Sequence, residues 1–395
     1  MDHKQEGVLP VGIRKAVSAE VFIFLTFFLG FFILVGREMG IANMFSTMME
    51  TAYALLMDTV FYIMAIAVLA GAISGLFSEF GVIALLNKLL SRGVEFIYGM
   101  PGACAVGIFT TYLSDNPAIL TLANDNDFRR YFKKYQLPAL TNVGTAFGMG
   151  LIITTFMASL RSPAGESFAL AVLIGNLGAI AGSIVSTRLM LRYTAKVYGK
   201  SAPCELDDDA ENININQFRK VRHGGVGLRF MDALLAGGKS GVEMGLSIIP
   251  GVLIICTLVL MLTNGAPAGG YTGAAYEGVG FLPWVGEKLN FIIMPLFGFS
   301  SNEAISVPIT AMGAAGAAIG IVEKLVSAGL SNAHDIAVFT AMCMCWSGYL
   351  STHVAMMDSL KCSYLTGVAI LCHTVGGIVA GVFANWVYHL IILFL

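Results

Sequence analysis

The chain has 395 residues, of which 56% are hydrophobic and 12% charged, where a globular domain carries about 25% charged residues. Lys plus Arg (23) nearly cancels Asp plus Glu (25), and so little charge cannot cover a soluble surface of this size. A disordered chain, a nucleic-acid binder and an ordinary cytosolic enzyme are excluded, and the composition predicts an all-α polytopic protein in a lipid bilayer.

Crossing the hydrocarbon core takes about 20 mostly apolar residues. A tail bearing Lys4, Arg14 and Lys15 leads into a first span at Val21–Gly36, with no small-residue cleavage site after it. Thr59–Phe77 is the second span. Val94–Phe128 lies between the basic clusters Lys88/Arg92 and Arg129/Arg130/Lys133/Lys134, and is interrupted at Pro101-Gly102 and Asp115-Asn116-Pro117. It is too broken for two full spans, so the spacing predicts a re-entrant hairpin. Gln136–Leu160 and Ser167–Thr187 form an antiparallel pair about the tight turn Arg161–Glu166.

Nine of the 23 basic residues lie between Arg188 and Lys239, which places that segment, and the N-terminus with it, in the cytoplasm of a bacterial-type inner membrane. Gly199–His223, with Asp207-Asp208-Asp209, reads as a solvated linker, and Leu228–Val242 as an amphipathic segment along the interface. Met244–Asn264 is the next span, and Thr263–Val285, free of Lys and Arg, is an external loop. Leu289–Val322, interrupted by Pro295, Asn302-Glu303 and Pro308, predicts a second hairpin before spans at Ile336–Asp358 and Gly367–Ile392. The chain thus divides into residues 1–50 (tail and first span), 51–198 (first repeat), 199–240 (linker and amphipathic segment) and 241–395 (second repeat).

Both repeats list span, broken hairpin, span, span, and they start from opposite sides of the membrane. Ser114-Asp115-Asn116-Pro117-Ala118-Ile119 aligns with Ser300-Ser301-Asn302-Glu303-Ala304-Ile305 at four of six positions. Broken segments at matching places in inverted repeats are where transporters build mid-membrane sites. An intramembrane carboxylate demands a partner, a proton or a cation. Asp115 and Glu303, each beside an Asn amide and a Ser hydroxyl, therefore form a candidate site with Ser114, Asn116, Ser300, Ser301 and Asn302. The oxygen-rich set suits Na⁺, a proton or a small polar solute. The same residues also suit helix caps at the water interface.

The stretches Gly99–Leu122 and Phe297–Gly320, with their Ser-x-Asn-x-Ala-Ile centres, resemble the Gate (nucleoside-recognition) domain of concentrative nucleoside transporters, ferrous-iron permeases and spore-maturation membrane proteins. The resemblance implies paired hairpins meeting near an internal two-fold axis, with solute and coupling ion between the tips, in a dimer or trimer. It departs from the nucleoside transporters in lacking their Gln-Thr-Glu-type signature. It departs from the iron permeases in having Ser301 where they carry a Cys, and in lacking a G domain.

His353, five residues before Asp358, is a candidate for proton coupling. Cys343, Cys345 and Cys372 with His353 and His373 read as core residues rather than a metal centre, and the Gly-Lys-Ser at 238–240 lacks the first Gly of a phosphate loop. No cofactor is expected beyond Na⁺ or H⁺ as coupling ion. The expected function is a secondary transporter, not an enzyme, moving a nucleoside-, amino-acid- or peptide-like solute. The alternatives are a divalent metal-ion permease or channel, and a non-transporting scaffold of the spore-maturation type.

Overall fold

The computed structural model describes residues 17–124, 126–163, 165, 167–204, 218 and 221–394. Lys4, Arg14, Lys15, Glu166, the acidic run Asp207-Asp208-Asp209, Arg219 and Lys220 lie outside the described residues. Those that are described form helices and loops, with only two isolated bridges, Lys133 to Pro203 and Arg161 to Ser167. Among the described residues five helices are long and apolar enough to cross a membrane, and the protein is a multi-pass membrane protein.

Helix α1 (Ala19–Met39) stands largely exposed, as a lipid-facing span does. Helix α2 (Ile41–Glu79) is continuous but carries a π-helical segment at Leu55–Val60. Gly81 and Gly99, both left-handed at φ 81 and 72, bracket the amphipathic α3 (Val82–Tyr98). A hairpin follows, α4 (Cys104–Tyr112) and α5 (Pro117–Asn124). Helices of nine and eight residues rise only about 12–14 Å, too little to span. Next come α6 (Ala139–Thr145), α7 (Gly150–Ser159) and the long α8 (Ala169–Tyr198).

The second half repeats this order. Helix α9 (Val226–Pro250) runs through a π-helical segment, Gly251–Cys256, into α10 (Thr257–Thr263). Helix α11 (Phe281–Phe297) is bracketed by left-handed Gly280 and Gly298. The hairpin α12 (Ser306–Gly313) and α13 (Ala315–Ser327) follows, then α14 (Ala333–Trp346), α15 (Tyr349–Ser359) and α16 (Thr366–Ile392). Gly81 matches Gly280, Gly99 matches Gly298 and left-handed Met149 matches Gly348, each pair 199 residues apart.

Equivalent helices of the two halves lie against one another and cross antiparallel. On α2 and α9, Gly71 abuts Gly237 while Gly75 abuts Ala233, with no room for a side chain between the backbones. On α8 and α16, Gly182 abuts Gly376 while Gly178 abuts Ala380. Glycines at such crossings bring helices to backbone contact in lipid. The core lies between these seams, where α14 is buried from His334 to Trp346, Cys343 and Cys345 included.

Three expectations change. The run Ile336–Asp358 is a pair of helices broken mid-run, whereas Gln136–Leu160 keeps one spanning length, Ala139–Ser159, interrupted at Ala146–Met149, where the Gly148 carbonyl accepts from Ser347 Oγ at 3.0 Å. Leu228–Val242 is no separate interfacial segment but the first half of α9, held on α2 by the glycine seam. Each half also holds an extra helix, α3 or α11, between span and hairpin.

Candidate functional site

The first hairpin turns through Leu113–Asn116. Pro117 opens α5, where its missing N–H costs nothing, and the Asp115 carbonyl accepts from Ala118 N at 2.9 Å. The Asp115 carboxylate accepts from its neighbour's amide, Asn116 N, at 2.7 Å. The second hairpin turns at extended Ala314 (φ −157, ψ 112), so its tip, Gly313-Ala314-Ala315, offers backbone and methyl groups only. The two helix breaks complete the centre: left-handed Met149 after Gly148, and Ser347-Gly348 at φ 27 and 67.

Hydrogen bonds tie these four pieces together across the halves. Asn116 Nδ2 donates to the Ser347 carbonyl at 2.9 Å and to Thr352 Oγ1 at 3.5 Å. Because that carbonyl only accepts, the amide orientation is set and Asn116 Oδ1 faces the other way. Ser347 Oγ donates to the Gly148 carbonyl at 3.0 Å, and Gly348 N donates to the Ala311 carbonyl at 2.9 Å. Asn116 Oδ1 is buried with no hydrogen-bond partner among the described residues. A buried acceptor without a donor is costly, and here it lies where a Gly148 Cβ would stand.

Around this junction lies a cavity of about 290 Å³, lined by Asp115, Asn116, Met149, Ser347 and Thr352, the second hairpin's tip, and Gly251 and Ile255 of the π-helical segment between α9 and α10. Asp115 is its one charged lining residue among those described. On the other side of the first hairpin's tip is a separate cavity of about 260 Å³, lined by Ser114, Ser74, Ser78, Thr110, Ser240 and Arg222. The tip is thus a partition, with Ser114 facing one space and Asp115-Asn116 the other.

The remaining candidates lie elsewhere. Ser300, Ser301, Asn302 and Glu303 sit at the foot of the second hairpin, not at its tip, separated from the cavity by α12. There Ser300 N donates to Asp335 Oδ1 at 3.0 Å and its hydroxyl to Asp335 Oδ2. Asp335 also closes a capping box with Asn332 at the start of α14. The six-residue match is therefore out of register: the positions equivalent to Ser114-Asp115-Asn116 are Gly313-Ala314-Ala315.

His353 follows cavity-lining Thr352 but is fully buried. Its Nδ1–H donates to the Tyr349 carbonyl at 3.0 Å, and Nε2 has no partner among the described residues. Its ring lies 4.6 Å from that of His373. His373 Nε2–H donates to the Cys345 carbonyl at 2.6 Å, so its Nδ1 accepts from Ser186 Oγ at 3.0 Å. The sequence reading missed Ser347, Gly348 and Thr352, and it also missed Glu323 of α13, which accepts from Thr59 of the π-helical segment in α2 at 3.2 Å. The Ser-Gly at 347–348, inside an apolar run, was the available signal.

No family model matches the chain, and no curated protein does. Solved structures do. A double variant of CNTnw, a concentrative nucleoside transporter, in an outward-facing state shares 15% identity with a TM-score of 0.51, covering 93% of this chain and 84% of that one. A single variant of CNTnw in an intermediate state shares 14% with a TM-score of 0.50, covering 93% and 85%. The chain has the fold of these transporters.

Proposed function

We propose that the protein is a secondary transporter whose solute binds in the cavity between the two hairpin tips and the two helix breaks. The observation that carries this reading is the convergence of four interrupted backbone segments on a cavity with one carboxylate, Asp115. Interrupted backbone at membrane depth is tolerated where it lines such a site, and the solved structures of like fold are transporters. With the first hairpin's tip dividing the two cavities, a small movement of that tip opens or closes the site toward the second cavity.

The lining favours a neutral or cationic solute rich in hydrogen-bond donors. Asp115, Asn116 Oδ1 and the Ser347 and Thr352 hydroxyls accept, and among the described residues no Lys or Arg lines the cavity to receive an anion. A nucleoside fits this description, as does an amine. The coupling ion is Na⁺, seated on Asp115 and Asn116 Oδ1, or H⁺ carried with His353. A divalent-ion permease draws less support, since hard divalent cations want several charged oxygens. The protein is read as a dimer or trimer with a cytoplasmic N-terminus.

Uptake into proteoliposomes under an imposed Na⁺ or H⁺ gradient tests the reading. Asp115→Asn is expected to lower uptake at least about ten-fold with the melting temperature held, a loss of about 1.4 kcal/mol or more. Glu303→Gln is expected to keep uptake, and the reverse pattern returns the site to the second hairpin's foot. If H⁺ is the ion, His353→Asn flattens the dependence of uptake on pH.

A further inference from the structure

We propose that His373 is a positioning residue for the central cavity, fixing the backbone break at Ser347 and so the shape that the solute meets. The inference rests on the reading of that cavity as the solute's site. A helix leaves its last carbonyls without partners from its own turns. At the end of α14 two carbonyls are taken by side chains from other elements. The Ser347 carbonyl accepts from Asn116 Nδ2 of the first hairpin at 2.9 Å, and the Cys345 carbonyl from His373 Nε2 of α16 at 2.6 Å. Asn116 lines the cavity, whereas neither Cys345 nor His373 does. The break is therefore gripped at two carbonyls, by one group that meets the solute and one that acts only through the backbone.

His373 is itself held by a chain of hydrogen bonds with one consistent placement of protons. Asn142 of α6 donates from Nδ2 to the Ala369 carbonyl of α16 at 3.0 Å and to Ser186 Oγ of α8 at 2.9 Å. A carbonyl only accepts, so the amide orientation is set. Ser186 Oγ lies 3.0 Å from His373 Nδ1. A neutral imidazole carries one N–H, and the Cys345 carbonyl requires it on Nε2. Ser186 therefore donates to Nδ1, and a single tautomer fits. Asn142, Ser186, Cys345 and His373 are all fully buried, so a group that loses its partner here stays unsatisfied. The glycine seam lets the chain close, since a Cβ on Gly376 would stand 2.7 Å from Ser186 Cβ.

The chain also links the two breaks. Asn142 stands on the helix before left-handed Met149, and Cys345 on the helix before Ser347. Ser347 Oγ makes one bridge between them, to the Gly148 carbonyl. The path through His373 makes a second, away from the cavity's lining. Internal symmetry does not require the histidine, because Ile174 occupies the equivalent place of the first half, 199 residues earlier. It is an addition specific to the second break.

Hydrogen exchange on the full-length protein in detergent reads the break directly. The Ser347 and Gly348 amides donate to the Cys343 and Ala311 carbonyls at 2.9 Å each. His373→Leu is expected to raise their exchange rates about ten-fold. With uridine as the probe in proteoliposomes, it is expected to raise KM about five-fold or more and to hold Vmax within about two-fold. His373→Gln, whose amide reaches the Cys345 carbonyl, is expected to restore both. Should the Leu variant not purify as a single species, His373→Asn, long enough for Ser186 but too short for Cys345, takes its place. Wild-type exchange in the loss variant overturns the proposal, as does raised exchange with unchanged KM, or a Gln variant no better than Leu. Absence of uridine uptake in the wild type counts against a nucleoside as the solute, which is a failure of the transporter reading, and the exchange comparison alone then decides the role of His373.

Discussion

At the scale of single residues, Gly148 decides how closely the two halves meet. A Cβ there would fall on Asn116 Oδ1 and stand 2.9 Å from Ser347 Oγ. Gly148→Ala is therefore expected to cost about 1–3 kcal/mol of stability and to abolish uptake, read by thermal unfolding and proteoliposome transport together. Unchanged uptake refutes the packing at the break. Glu277 holds the loop before α11 in the same way. Its buried carboxylate accepts from Thr272 Oγ1 at 2.6 Å, Thr272 N at 3.0 Å and Gly273 N at 2.9 Å. Burial works against its charge, but these hydrogen bonds outweigh it and hold the carboxyl below its ordinary 4.5. A depressed carboxylate stabilises the fold above its unfolded value, and the contribution is lost as pH falls through the folded one. Between about pH 5 and 3 the melting temperature is expected to fall further in the wild type than in Glu277→Gln, and parallel slopes contradict this.

At the scale of elements, the two hairpins divide the work unequally. The first brings a carboxylate and an amide to its tip. The second brings Gly313, Ala314 and Ala315, which shape space without reading chemistry. Ala314→Leu, at an extended position that accepts any side chain, is expected to fill the cavity and block uptake with little change in melting temperature. Transport at the wild-type rate would show that the solute goes elsewhere. Long apolar runs made the spans legible in the sequence, and Asp115-Asn116-Pro117 marked the first hairpin's turn because charge and proline are rare in lipid. The second turn was not legible, since Gly313-Ala314-Ala315 differs little from the helices flanking it. Ser300-Ser301-Asn302-Glu303 attracted the match instead by being polar, although those residues lie at the foot of the hairpin. The breaks at Gly148 and Ser347 were hidden because partners 199 residues apart in the chain make them, not local residues.

At the scale of the whole molecule, the basic residues mark one end. Arg188, Arg192, Lys196 and Lys200 line a cavity at the end of α8, and Arg129, Lys134 and Lys361 line its neighbour. With Cys204→Ser as background, Lys200→Cys is expected to react with an impermeant thiol reagent only from the cytoplasm, and Gly269→Cys only from outside. Labelling of both from one side contradicts the orientation. The glycine seams have a consequence for assembly. Gly71 against Gly237, Gly182 against Gly376, Asn116 against Ser347 and the ion pairs of Arg222 and Arg229 with Glu79 all join one half to the other, and none of these contacts uses the stretch between residues 204 and 218. Two separately synthesised polypeptides, cut within that stretch and inserted in opposite orientations, are expected to find each other and co-purify, because the fold is a heterodimer that happens to be one chain.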